Sequence, residues 1–111
     1  MTGAAKRKGD AAELAAARLL ADLTGFPVRR MLGAGRLDDV GDLEGLPGVT
    51  VQVASWADVA RAAREKPVAA ETQRVNAGNP HTVTMVRFRG GIWRMVQTPE
   101  QFCRLVLAVP R

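Results

Sequence analysis

The residues best suited to chemistry in this chain are its scattered cations, a few acids and two tryptophans. Lys6-Arg7-Lys8, Arg29-Arg30, Arg36, Arg87 and Arg89 are of the type that grips phosphate, through contacts that weaken as salt rises. Read without a ligand, the same residues are a solvated terminal run and exposed sheet charge. Arg87 and Arg89, two apart on an expected strand, share one side. Trp56 and Trp93 are able to stack bases, or to pack in a core or an interface. Asp38-Asp39 beside Asp42 make either an acidic cluster or a solvated loop. His81 has no cysteine or second histidine near it, which argues against a zinc site. Gly33-Ala34-Gly35 lacks the glycine and Lys-Ser/Thr of a phosphate loop. The single cysteine, Cys103, cannot form an internal disulfide and shares an apolar helix face with Phe102 and Val106, so a buried packing thiol is expected.

A chain of 111 residues is large enough for one core and too small for two, so residues 1–111 are expected to form a single domain. Its 47% hydrophobic and 24% charged residues fit a soluble globular protein. No apolar run reaches the roughly 20 residues of a membrane helix, and none follows the basic start to make an export signal, so a cytoplasmic protein with no membrane partner is expected. The net charge of +5 is compatible with a polyanionic partner such as DNA without being specific for one.

Residues 1–8 read as a basic arm, and residues 10–24 as a helix with Asp10 as N-cap and Glu13 closing a capping box. Leu14, Ala17, Leu20 and Ala21 come at helical spacing, and Gly25 and Pro27 end the element. Strands are expected over 28–32, 40–43 and 49–54, the last rich in β-branched residues. Ser55 reads as an N-cap with Asp58 at the N3 position. Pro67 should split the next segment into helical pieces over 56–66 and 68–76. Strands over 82–88 and 92–97 flank a turn at Arg89-Gly90-Gly91. Thr98-Pro99-Glu100-Gln101 starts a last helix within a C-terminal segment 98–111. The order predicts an α/β domain with a mixed central sheet of about four or five strands flanked by helices.

Within that order a family resemblance emerges. Lys6-Arg7-Lys8-Gly9-Asp10-Ala11-Ala12-Glu13 opening a helix, then Gly33-Ala34-Gly35, Gly41-Asp42-Leu43, Gly48-Val49-Thr50-Val51-Gln52-Val53, Gly78-Asn79-Pro80 and Trp93-Arg94, resemble the archaeal and phage Holliday-junction resolvases of the PD-(D/E)XK type. The resemblance covers about residues 6–97 and implies a restriction-endonuclease-like fold. It also implies Mg²⁺-assisted phosphodiester hydrolysis, with acids holding the metal and a lysine stabilising developing charge. By position Glu13 matches the helix-borne acid and Asp42 the metal aspartate. Gln52 stands where the strand acid belongs, and Ala54 where the lysine belongs. Beside these roles, Glu13 also reads as a cap residue and Asp42 as a turn residue. Gln52 and Ala54 share one strand face while Val51 and Val53 share the other. Gln52 still offers a carbonyl oxygen and is tolerated in some related nucleases; Ala54 offers nothing. Lys66 on the following helix is a candidate migrated lysine, with Arg61 and Arg64 as poorer substitutes.

The residues and the resemblance together leave three expectations. The leading one is a nuclease-fold protein without catalysis, of phage origin, acting in binding or assembly, for example as a head–tail connector component within a virion. It would be a homo-oligomer or partner other phage structural proteins and need no cofactor. The second is a working Mg²⁺-dependent endonuclease or junction resolvase, recognised by a cation that reaches the Asp42–Gln52 pocket. The third is a protein that binds DNA structure without cutting.

Overall fold

The computed structural model describes residues 3–31 and 41–110, with side chains from residue 9 onward. Among the described residues eight elements run α1 (Gly3–Thr24), β1 (Arg29–Arg30), β2 (Leu43–Glu44), β3 (Val49–Ala54), α2 (Val59–Ala77), β4 (His81–Phe88), β5 (Ile92–Val96) and α3 (Pro99–Ala108). The five strands form one sheet in the order β1-β2-β3-β4-β5. β3 and β4 are parallel, joined by the α2 crossover, and every other neighbouring pair is antiparallel. The chain is thus an α/β fold with a mixed sheet, in the element order expected from the sequence. Among the described residues no helix is long and apolar enough to cross a membrane.

The alternation in β3 decides what each helix covers. Val51 and Val53 face α1, packing with Ala16, Ala17, Leu20, Leu43 and Met85. Gln52 and Ala54 face α2, where Ala54 meets Ala62 and Val86. Both helices meet the sheet largely through alanines, so they approach it closely and leave little volume between the layers.

Several boundaries differ from the sequence reading. The backbone of residues 3–8 belongs to α1 rather than to an arm, because the alanines around Gly9 carry a helix through it at a cost of about 1 kcal/mol. Asp10 therefore lies inside the helix and is not its N-cap. Leu14 is exposed, and the buried stripe runs through Ala12, Ala16, Ala17 and Leu20. β1 and β2 are two residues each, shorter than expected. The N-cap of α2 is Asp58, not Ser55; its carboxylate accepts from the Arg61 N–H at 3.0 Å.

Pro67 does not split α2. Proline inside a helix costs about 3 kcal/mol or more by removing a donor and crowding the preceding turn. Here tertiary bonds hold that turn. The Gln101 amide donates to the Pro67 carbonyl at 2.7 Å, and the Gln52 amide nitrogen to the Lys66 carbonyl at 3.1 Å. The α3 start is as expected, with Thr98 and Gln101 forming a reciprocal capping box and Pro99 at the first turn. Its apolar face is not buried, however. Phe102, Val106 and Val109 are exposed, and so is Cys103. Gln101 and Arg104 dock the helix by polar bonds instead.

Those bonds converge on Glu71, which accepts from the Gln101 amide at 2.9 Å, Arg104 at 3.0 Å and Arg74 at 3.1 Å. Burial opposes the charged form, but hydrogen bonds from Arg104, Gln101 and Arg74 prevail and hold Glu71 at about 2. A depressed carboxylate stabilises the fold above its unfolded value, near 4.3, and that contribution is lost as pH falls from there towards about 2. Thermal melts between pH 6 and 2 should show Glu71→Gln less stable than wild type at pH 6, with the gap closing through this window. Melting curves that stay parallel down to pH 2 would refute the assignment.

Candidate functional site

The candidate site lies where β2 parts from β3. Gly41 makes this close approach: at φ 99°, a Cβ there would stand 2.7 Å from Thr50 Cγ2 and 3.1 Å from the Val51 carbonyl oxygen. Asp42 is then pinned by backbone on both sides. Its N–H donates to the Val51 carbonyl at 2.9 Å and its carbonyl accepts from the Met31 N–H at 2.8 Å. Its carboxylate accepts from the Val53 N–H at 2.8 Å, taking the place a strand partner would fill. The aspartate the sequence singled out is thus fixed between the β1 and β3 sides of the sheet, just before β2.

Glu13 approaches from α1. It accepts from Arg30 Nε at 3.2 Å, while Arg30 Nη2 donates to Asp10 at 2.8 Å. The expected capping box is replaced by this bridge from helix to β1. Partial burial raises the Glu13 carboxyl above its usual range, the nearby Asp42 charge adds to that, and Arg30 opposes both. The two carboxylates therefore sense each other across the fork between α1 and the sheet.

Gln52 is buried at 3% exposure on the α2 side. With its amide oriented so that donors meet acceptors, the oxygen accepts from Lys66 Nζ at 3.1 Å and from Gln73 Nε2 at 3.3 Å. Lys66 thus reaches the Asp42–Gln52 region from one side while Glu13 reaches it from the other. Ala54 lies deeper, at 1% exposure, beside Val86 of β4 and against Ala62 of α2. A lysine stem at position 54 has no path there, whereas one from α2 does. Lys66 Nζ also stands 5.0 Å from the centroid of the Trp56 ring. Arg61 is 5.7 Å from that ring and is paired with Glu65 at 3.0 Å, and Arg64 lies 4.0 Å from Glu65, so neither competes for the role.

The remaining expected site residues divide. Arg29 pairs with Glu44 at 2.8 Å and Arg30 with Asp10 and Glu13, so both strand cations carry acidic partners within the protein. Exposed or partly exposed pairs of this kind are worth about 1 kcal/mol or less. Arg36, Gly33-Ala34-Gly35 and Asp38-Asp39 lie outside the described residues, as do the side chains of Lys6, Arg7 and Lys8. Among the described residues no group of three or more His, Cys, Asp or Glu is placed to share a metal. A cation here would rest on two carboxylates, Asp42 and Glu13, because the Gln52 oxygen is turned to Lys66 and Gln73 on the α2 side. That fits Mg²⁺, which is commonly held by one or two carboxylates and keeps several waters.

Sequence reasoning missed Gln73. Its place beside Gly41 and Gln52 depends on α2 running unbroken through Pro67, and a proline in the sequence signals the opposite. Compared with known proteins, this chain matches no family model, no curated protein and no solved structure.

Proposed function

We propose that this chain is a Mg²⁺-dependent DNA endonuclease of the restriction-endonuclease-like, junction-resolvase type, in which Lys66 on α2 takes the part of the lysine absent from position 54. The observation that carries this reading is Lys66 Nζ at 3.1 Å from the Gln52 amide oxygen, on the strand next to Asp42. The order α1-β1-β2-β3-α2-β4, with an antiparallel meander followed by a parallel crossover, supports the same reading. Asp42 and Glu13 would hold the metal, which when bound would polarise a phosphate and make water a better nucleophile. Lys66 supplies a positive charge against the negative charge that develops on the phosphate. Arg30 favours the ionised form of Glu13 against burial and against Asp42.

A second reading, a non-catalytic nuclease-fold protein of phage origin serving in assembly, has its own support. The Gln52 oxygen is already engaged by two donors, Glu13 is already paired, and α3 presents an exposed apolar stripe of Phe102, Val106 and Val109. Head–tail connection would fit that reading, with a homo-oligomer or other virion proteins as partners.

Cleavage of four-way-junction DNA, linear duplex and duplex carrying an unpaired segment, with Mg²⁺ or Mn²⁺, decides between them. Asp42→Asn keeps an oxygen for the Val53 N–H and removes the charge, so it should fold normally and cut nothing detectable. Wild-type cleavage that the Asp42→Asn substitution abolishes upholds the nuclease. No cleavage by folded wild-type protein with either metal, or cleavage that survives the substitution, overturns it.

A further inference from the structure

At the C-terminal ends of the parallel strands β3 and β4 a cleft of about 330 Å³ opens between Trp56 and the β4–β5 hairpin. Val59 and Phe88 contribute apolar lining, while Arg87, Arg89 and Gly91 form the hairpin side. Crevices at this end of parallel strands are common ligand sites. Trp56, a residue type that usually packs away from water, is 36% exposed here. On the hairpin side the Arg87 guanidinium lies near Gly91 and 5.9 Å from the ring of Trp93, which packs on the α1 side of the sheet, and Arg89 is exposed.

Among the described residues Lys66, Arg87 and Arg89 form no ion pair with a carboxylate, as is also true of Arg18 and Arg94, whereas Arg29, Arg30, Arg61, Arg74 and Arg104 do. An accessible indole beside uncompensated cations is what an unpaired nucleotide requires: a π-face for the base and positive charge for the flanking phosphates. A base inside a duplex has both faces covered by its neighbours and cannot use the ring.

We infer that this cleft binds an unpaired stretch of nucleic acid, with one base stacked on Trp56 and the adjoining phosphates at Arg87 and Arg89. Lys66 joins the cleft to the candidate site, since its Nζ lies beside both the Trp56 ring and Gln52. The cleft therefore deepens the nuclease reading, on which its role rests, by naming the substrate class: DNA with an unpaired segment next to the phosphate that is cut. The base would take the place of the Arg61 guanidinium, 5.7 Å from the ring, and leave Arg61 its pair with Glu65.

The test is binding in EDTA, where no metal-dependent cleavage interferes. In a Trp93→Phe background Trp56 is the single indole, and a short oligothymidylate should quench its fluorescence. Labelled oligothymidylate should bind more tightly than a duplex of equal length. Trp56→Ala should weaken that binding by about five- to hundredfold, and Trp56→Phe should restore most of it. Arg87→Gln with Arg89→Gln should flatten the plot of log K against log salt by about 1.4. Absence of oligothymidylate binding, equal or tighter duplex binding, or indifference to Trp56→Ala overturns the cleft. A chain that binds through Trp56 yet never cuts overturns the nuclease reading alone, and one that cuts while indifferent to Trp56→Ala overturns the cleft alone.

Discussion

Lys66→Met is expected to lower the rate of metal-dependent cleavage by about 10²–10³-fold while changing the affinity for uncut DNA far less. That range is the usual consequence of removing one preorganised group that stabilises charge in the transition state. Methionine keeps an unbranched stem and removes the charge, with its contact to the Trp56 ring and its donor to Gln52. Gln52 retains Gln73 as a donor and the Lys66 carbonyl as an acceptor, so the packing of α2 on β3 should persist. A lysine that only held the helix in place would behave differently: its loss would show in the melting temperature and spare the rate per folded molecule. Lys66→Arg separates these roles further. It retains the charge and the ring contact, but the guanidinium is planar and always protonated, so partial activity is expected. Single-turnover rates measured beside thermal melts supply both readouts. Wild-type rates in Lys66→Met would sink the migrated-lysine account, even in a chain that proves to be a nuclease.

Ala54→Lys, which restores the residue the resolvase pattern calls for, is expected to destabilise the protein and not to activate it. Position 54 is 1% exposed and faces Ala62 and Val86, each fully buried. A four-carbon stem would have to push α2 off the sheet, and overpacking of this kind costs about 1–3 kcal/mol or more. Leaving an ammonium group in that apolar contact adds several kcal/mol unless it finds a way out. A fall of about 10 °C or more in melting temperature is the expected result for a domain of this size. The same contact accounts for the alanine: α2 sits so close to β3 at Ala62 that a lysine fits on the helix one turn further along and not on the strand. A stable Ala54→Lys variant that cuts faster than wild type would show that the strand position is open and that Lys66 is not its replacement.

Much of this architecture is local in origin and was legible in the chain. The β-branched alternation of residues 49–54 specified β3 to the residue, and with it the division of Val51 and Val53 from Gln52 and Ala54. Thr98-Pro99-Glu100-Gln101 specified the start of α3, because cap, proline and reciprocal glutamine act within four residues. Asp42 was a site candidate by resemblance alone, and the structure adds that Gly41 makes a close approach to Thr50 that a Cβ would block. What failed were inferences in which a local rule met a distant partner. Asp10 and Glu13 form a sound capping box on paper, but Arg30 from β1 takes both carboxylates once the alanines carry α1 past them. Pro67 breaks helices by a local rule, yet Gln52 and Gln101 hold the turn around it from two other elements. Phe102 and Val106 mark an apolar face by spacing alone, and α3 docks through Gln101 and Arg104 instead.

Residue order alone carried the α/β succession of elements, the register of chemistry along β3, and the absence of a lysine on that strand, because periodicity, caps and residue identity are properties of short stretches. The position of a replacement charge came from the folded arrangement. Lys66 meets Gln52 through a continuous α2 packed on alanines, and close packing between elements distant in sequence leaves no periodic trace in the chain.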